Sequence, residues 1–237
     1  MLGGSGGIGA AICRALAVRG ASLVVHGGAS RDRLERTLAG LASALAPGAT
    51  AEGFLLEADL PSTFVEKAAS FGPFDIAVIS FGPFFRGSLS QTSAREWERL
   101  ALLDLALPGA LCSALLPGMM DRGYGRFLLL GGTRTDAVRA YSSNAAYAAA
   151  KTGLAVLAKS LAVEGAGRGV ACVLACPGLV DTEYLDENAR SALRAKAPRG
   201  RLYMPEEIAR PAVELIAADP CTASGAVVSL DGGLDLQ

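Results

Sequence analysis

Short apolar runs bounded by turn residues alternate along this chain with longer stretches of helical periodicity. Runs at 22–26, 53–57, 76–80, 126–130, 170–175 and 226–230 read as strands. Between them, segments 7–19, 31–46, 63–69, 94–120, 145–164 and 206–218 carry helical patterns. Continuous apolar strands are buried on both faces, and regular strand–helix alternation builds parallel βαβ units. The pattern predicts one α/β domain over residues 1–237, a doubly wound parallel sheet with helices on both faces. The first strand is the exception. Only Met1 and Leu2 precede a glycine-rich run, where a strand of about five or six residues is expected. So short a strand would leave N–H and C=O groups of its neighbours unpaired. The expectation is a truncated first strand: either its beginning lies upstream of Met1, which is favoured, or the chain is compromised in folding and cofactor binding.

Composition narrows the class. The chain has 237 residues, of which 51% are hydrophobic and 19% charged, which suits a packed core and excludes a disordered chain. A net charge of -1 gives no bulk attraction for nucleic acid or an anionic membrane, and neither is expected as a partner. Five scattered cysteines, Cys13, Cys112, Cys172, Cys176 and Cys221, lack the spacing of a zinc site, so no metal is expected. They read as reduced, mostly buried thiols, which fits a cytoplasmic protein. The opening Met1-Leu-Gly-Gly-Ser has neither the basic region nor the apolar core of a signal peptide. Residues 100–120 are apolar enough to raise the question of a membrane span, but they include Asp104, Pro108 and Pro117. A helix buried between subunits is expected there.

Candidate chemistry gathers at a few places. Tyr147 and Lys151 lie four apart in Asn144-Ala-Ala-Tyr-Ala-Ala-Ala-Lys-Thr152, on one face of a predicted helix. A phenol with pKa about 10 is a poor acid or base at neutral pH. A neighbouring ammonium favours the phenolate, so the pair is a candidate proton donor and acceptor for a carbonyl or alcohol oxygen. The run Gly3-Gly4-Ser5-Gly6-Gly7-Ile8-Gly9 opens directly into a helix. Glycines permit a tight turn and close approach of a pyrophosphate, and the helix N-terminus offers free N–H groups. No Lys-Ser or Lys-Thr follows, so the run is not a Walker loop.

In this order, Gly3-x3-Gly7-x-Gly9, Asp59-Leu60, Tyr147-x3-Lys151, Pro177-Gly178 and Asp231-Gly232-Gly233 resemble the short-chain dehydrogenase/reductase family, of the 3-oxoacyl-carrier-protein reductase kind. The resemblance spans nearly the whole chain and implies a Rossmann-type fold and a nicotinamide cofactor. It also implies hydride exchange between a ketone and a secondary alcohol. Tyr147 takes the role of general acid/base, and Lys151 lowers its pKa and holds the nicotinamide ribose. Gly3, Ser5, Gly7, Ile8 and Gly9 would cradle the pyrophosphate, with Asp59 and Leu60 at the adenine. Gly82, Pro177, Gly178, Val180 and Thr182 would lie by the rest of the cofactor. A homotetramer or homodimer through the two long helices is implied as well.

The sequence departs from the family pattern at four places. The opening strand is short. Ile79-Ser80-Phe81-Gly82 replaces the usual Asn-Asn-Ala-Gly, keeping only the glycine. Phe71, Phe74, Phe81, Phe84 and Phe85 crowd that region, chiefly as core, with some available to an apolar substrate mouth. Asp104 stands where the family has a catalytic Asn whose main-chain carbonyl holds a water leading to the Lys. Pro108 gives no N–H to the carbonyl of residue 104, which is thereby free for that water. Gly131-Gly132-Thr133-Arg134-Thr135 replaces the segment holding the usual catalytic Ser, about thirteen residues before the Tyr in the family. Thr133 is the first candidate for the missing hydroxyl, Thr135 the second, with Ser142 and Ser143 behind them.

No acid follows the second strand to take a ribose 2′-OH, while Ser30 and Arg31 could hold a 2′-phosphate, which favours NADP(H) over NAD(H). Segment 183–201 carries Arg190, Arg194, Lys196, Arg199 and Arg201 against Glu183, Asp186 and Glu187. It reads as a solvated amphipathic helix over the substrate, with an anionic substrate or acyl carrier as the further option. The chain is thus expected to be an NAD(P)-dependent oxidoreductase on a small carbonyl or alcohol substrate. The altered helper residues leave a non-catalytic dinucleotide-binding scaffold as the alternative.

Overall fold

The computed structural model describes residues 1–56 and 61–234. Among the described residues six parallel strands form: β1 (Leu23–His26), β2 (Ala51–Phe54), β3 (Ile76–Ile79), β4 (Gly125–Leu130), β5 (Val170–Pro177) and β6 (Val227–Leu230). The helices are α1 (Gly7–Val18), α2 (Arg31–Ala42), α3 (Pro61–Ala69), α4 (Ala94–Ala101), α5 (Leu107–Asp121), α6 (Ala145–Gly165), α7 (Glu187–Arg194) and α8 (Pro205–Ala217). β1 pairs with β2, and β3, β4, β5 and β6 pair in that order, all parallel. β2 starts and stops earlier than the predicted 53–57, and Glu57 lies outside the described residues.

Met1 and Leu2 join the two groups of strands. Leu2 donates to Val78 O at 2.9 Å and accepts from Ser80 N–H at 3.0 Å. Met1 accepts from His26 N–H at 2.9 Å, and its ammonium donates to Val24 O at 2.8 Å. Two residues thus act as the central strand, giving the order β2, β1, Met1–Leu2, β3, β4, β5, β6. Beyond Met1, toward the N-terminal ends of β1 and β3, lies a cavity of about 690 Å³ bordered by Ser22, Val24, Ile76 and Val78.

β4 and β5 are buried at every position, as strands covered on both faces must be. One face packs Phe127, Leu129, Cys172 and Leu174 with α3, α5 and α6. The other packs Leu128, Leu130, Val173 and Ala175 with α1, α2 and α8. Removing one such leucine to alanine costs about 2–5 kcal/mol. Arg126, 1% exposed within β4, is satisfied by Ile216 O, Gly125 O, Gly169 O and Asp219, so its burial is structural.

The predicted helix 94–120 is interrupted. A π-helical turn, Leu102–Ala106, separates α4 from α5, with Leu107 N–H bonded back to Leu102 O. Pro108 has no N–H to continue the regular ladder, and the turn widens there. By length and composition alone, the continuous stretch 94–121 could cross a membrane. Here Leu107, Leu111, Leu116 and Met119 bury into the core instead.

Candidate active site

The C-terminal ends of β1, β3, β4 and β5 meet around the glycine turn. Gly3 and Gly7 have φ of 74° and 51°, a region other residues rarely adopt. A Cβ on Gly9 would lie 2.0 Å from Gly3 O, so the helix can start this close only with glycine. Ser5 donates to Gly27 O at 3.3 Å, and Ile8 lies in the first turn of α1. His26 fixes the turn from below. Its Nδ1 accepts from Gly3 N–H at 3.4 Å and its Nε2 lies 2.8 Å from Leu56 O. Gly28 N–H also approaches Nε2, at 3.2 Å, and burial lowers the ring's pKa, which favours neutral imidazole. No sequence motif pointed to this histidine.

The N-terminus of α1 already holds an anion. Gly7 N–H donates to both carboxylate oxygens of Glu183, at 3.0 and 3.1 Å. Free N–H groups and the helix dipole favour negative charge at this point. Beside it opens a cavity of about 450 Å³ bordered by Ser5, Gly6, Arg14, Arg33, Arg36 and Glu183. The residues therefore fit a dinucleotide: side-chain-free backbone for close approach, and helix N–H groups that bind an oxyanion.

Of the two residues expected at a 2′-phosphate, Ser30 is the N-cap of α2, accepting from Arg33 N–H at 3.4 Å. Arg31, with its side chain 74% exposed, lies 3.8 Å from Glu35 and does not border the cavity. Arg33 does, with its guanidinium 5.5 Å from the centre of the Tyr184 ring and its buried Nε without a hydrogen-bond partner among the described residues. Helical phase explains the difference. With Leu34 facing the core, Arg31 and Glu35 fall on one flank of α2, and Arg33 and Thr37 on the other. Asp59 and Leu60 lie outside the described residues.

Tyr147 and Lys151 face the same side of α6, as their spacing predicts. A Cβ on Gly132 would lie 2.7 Å from the Tyr147 hydroxyl, so the exit of β4 runs against the phenol. Phe84, 60% exposed, meets the Tyr147 ring edge-on with centroids 5.0 Å apart. Lys151 Nζ lies 3.1 Å from Asp104 Oδ1 and donates to Phe81 O at 2.9 Å and Leu130 O at 3.4 Å. Asp104 is fully buried, and burial pushes its carboxyl up to about 6 despite Lys151. A Cβ on Gly82 would sit 1.7 Å from Asp104 Oδ1, so a glycine there is what admits the carboxylate.

One expectation changes here. The Tyr147 phenol is pushed up, not down, chiefly by burial and then by the Asp104 charge. Asp104 lies close enough for its side chain to pair with Lys151 directly, so its charge acts on the ammonium as well as any role of its main-chain carbonyl.

Among the hydroxyls, Thr135 is fully buried and turned inward. It accepts from Gly132 N–H at 2.8 Å and donates to Gly132 O at 3.0 Å. Thr133 is half-buried and donates to Gly178 O at 3.1 Å, linking the exits of β4 and β5. Ser142 is exposed, and Ser143 O accepts from Gly87 N–H at 2.7 Å. Arg134 has φ of 64°, an uncommon conformation for a residue with a side chain.

Pro177 ends β5, and Gly178 packs on the closing segment: a Cβ there would be 2.7 Å from Asp231 Cα. Val180 bridges to Tyr203, and the Thr182 methyl would be 3.3 Å from a Cβ on Gly7. Pro177, Gly178, Val180 and Thr182 are thereby brought from the β5 exit to the glycine turn. In the segment above, Arg190 pairs with Asp181 at 2.8 Å and Glu187 at 3.0 Å, and Arg201 pairs with Glu207 at 2.7 Å. Among the described residues no group of three or more His, Cys, Asp or Glu is placed to hold a metal.

A doubly wound parallel sheet with a glycine turn and a Tyr–Lys pair at its strand ends is the architecture of a nicotinamide-dependent oxidoreductase. A family profile described as enoyl-(acyl carrier protein) reductase matches residues 3–235. The 3-oxoacyl-[acyl-carrier-protein] reductase FabG of Escherichia coli is 30% identical over 239 residues, covering 98% of this chain and 94% of that protein. An acetoacetyl-CoA reductase of Rhizobium meliloti is 30% identical, covering 98% of this chain and 95% of that protein. The crystal structure of a 3-oxoacyl (acyl-carrier-protein) reductase from Agrobacterium tumefaciens with NADP bound has a TM-score of 0.86 at 28% identity, covering 98% of this chain and 92% of that one. The chain belongs to the short-chain dehydrogenase/reductase family and is similar to its 3-oxoacyl-carrier-protein reductases. It is an NAD(P)-dependent oxidoreductase acting on a small ketone or alcohol.

Proposed function

We propose that this enzyme prefers NADP(H) and interconverts a 3-oxoacyl thioester and its 3-hydroxy form, with Tyr147 as general acid/base. One observation carries the reading: the Tyr147 hydroxyl stands against Gly132 at the sheet's C-terminal edge, with Lys151 one turn away on the same helix face. When bound, NAD(P)H supplies a hydride, and with it two electrons, to the carbonyl carbon. Tyr147 Oη gives its proton to the oxygen that becomes the alcohol and regains one from solvent. Thr133 is our choice for the hydroxyl that orients the carbonyl: it is half-buried at the β4 exit and would turn from its single bond to Gly178 O, whereas Thr135 is fully buried and bonded twice to Gly132. Lys151, held by Asp104, Phe81 and Leu130, fixes this end of the site.

NADP(H) is supported by Arg33 and Arg36 at the cavity beside the glycine turn, in place of the Ser30 and Arg31 assignment. A thioester with a phosphate-bearing carrier is supported by the basic segment above the site, where Arg194, Lys196 and Arg199 form no ion pair among the described residues. Exposed Phe84 offers an apolar wall beside the phenol. A homo-oligomer through α6 is supported by Val156 and Val163, seven apart and 70% and 82% exposed. The cytoplasm suits the five free thiols. Purified protein with NADPH and acetoacetyl-CoA tests the activity: NADPH should be consumed with formation of 3-hydroxybutyryl-CoA. NADPH binding without consumption, with this or any ketone of a broad panel, would reject the proposal.

A further inference from the structure

Lys151 Nζ donates to two main-chain carbonyls and forms an ion pair with a buried carboxylate whose oxygens accept no hydrogen bond among the described residues. Asp104 Oδ1 lies at 3.1 Å, Phe81 O at 2.9 Å and Leu130 O at 3.4 Å. The side chains of Lys151 and Asp104 are 5% and 0% exposed, so the pair is closed off from water. Opposite charges at such a distance largely cancel for a group lying farther away. Tyr147 is that group, its ring centre 6.0 Å from Lys151 Nζ. We infer that Asp104 is a positioning residue that compensates the Lys151 charge, keeps the Tyr147 hydroxyl protonated at neutral pH, and biases the site toward carbonyl reduction. The inference rests on the reading of Tyr147 as the acid/base.

The geometry is built for the carboxylate. The π turn swings residue 104 inward between α4 and α5, and Gly82 leaves the space its oxygen occupies. Asp104 faces Lys151 from α6 and Arg99 from α4. The titratable groups facing Tyr147 are Asp104, Cys176 from β5 and Tyr141 from the loop before α6, and of these only Asp104 is charged at neutral pH and holds the phenol in its neutral form. Reduction needs that form: as hydride reaches the carbonyl carbon, the π electron pair moves to oxygen, and Tyr147 Oη–H supplies the proton. Oxidation needs the reverse. Tyr147 must first lose its proton so that it can take one from the alcohol while hydride leaves to NAD(P)⁺. Burial first, and the Asp104 charge beside it, keep that phenolate scarce near pH 7.

Phenolate absorbance reads the claim without any turnover. Wild type and Tyr147→Phe should titrate alike up to about pH 10, the ordinary phenol value. In Asp104→Asn, one additional phenolate should form at least tenfold more readily, about one pH unit lower, and disappear in the Asp104→Asn/Tyr147→Phe double variant. The pH limb for oxidation of 3-hydroxybutyryl-CoA with NADP⁺ should move down with it. A Tyr147 phenolate forming in wild type below about pH 9, or a step and limb unmoved in Asp104→Asn, would overturn the inference. If Asp104→Asn does not fold, Asp104→Ser is titrated in its place and judged by the same two outcomes. Full turnover in Tyr147→Phe would instead strike the acid/base reading, leaving the titration result standing.

Discussion

Glu183 occupies the place where a cofactor pyrophosphate would meet α1, and its removal makes a quantitative test of the site. Its carboxylate takes Gly7 N–H with both oxygens, at 3.0 and 3.1 Å, at an exposed position. A negative group at an exposed helix N-terminus contributes about 0.3–1 kcal/mol, and charge-assisted hydrogen bonds lie above that range when shielded. A pyrophosphate must displace this carboxylate and then tolerate its charge nearby. Glu183→Gln keeps the shape and removes the charge. It should tighten NADPH binding by about 1 kcal/mol, close to fivefold at 1.4 kcal/mol per tenfold. The gain should shrink as salt screens the exposed charges. Calorimetric titration at low and moderate ionic strength measures both effects. Glu187→Gln is the control, since that carboxylate pairs with Arg190 at 3.0 Å instead. Unchanged or weaker binding in Glu183→Gln would refute the argument.

Other consequences are as direct. Arg33→Ala should weaken NADPH at least about tenfold while leaving NADH unaffected, and Arg31→Ala should do neither; parallel titrations with both nucleotides decide. Replacing Val156 and Val163 together by Glu should shift sedimentation to the monomer, and an unchanged mass would remove α6 from the interface. Burial raises the Asp104 carboxyl from 3.8 to about 6, so its stabilising contribution is full below pH 3.8 and is lost as pH rises through about 6. Relative to Asp104→Asn, wild type should therefore gain up to about 3 kcal/mol in urea unfolding between neutral pH and pH 4, because each pH unit separating the folded and unfolded values is worth about 1.36 kcal/mol. A difference that does not vary with pH would contradict this.

Much of the architecture was legible because each signal was local. Apolar runs gave the strands, and four-residue spacing put Tyr147 and Lys151 on one helix face. The glycine turn followed from residues within one short segment. What was missed depends on contacts between segments far apart in sequence. That Asp104 comes within reach of Lys151 depends on a π turn, which Pro108 hinted at without locating. Glu183 reaches Gly7 across 176 positions, which no motif encodes. Thr133 and Thr135 were separable only once Thr135 was seen bonded to Gly132. Arg33 was different: an N-cap at Ser30 and a core-facing Leu34 define the phase of α2, and that phase favours Arg33 over Arg31 from sequence alone. The short first strand was recognised, but not that Met1 and Leu2 would still pair on both sides.

The central claim is that one phenol moves the proton. Tyr147→Phe removes a single oxygen and leaves the ring against Phe84. Single-turnover measurement of NADPH oxidation with acetoacetyl-CoA, alongside calorimetry of NADPH binding to the same variant, tests it most directly. The account predicts turnover reduced by at least about 10²-fold with cofactor affinity within about twofold of wild type. Turnover near the wild-type rate in that variant would contradict it.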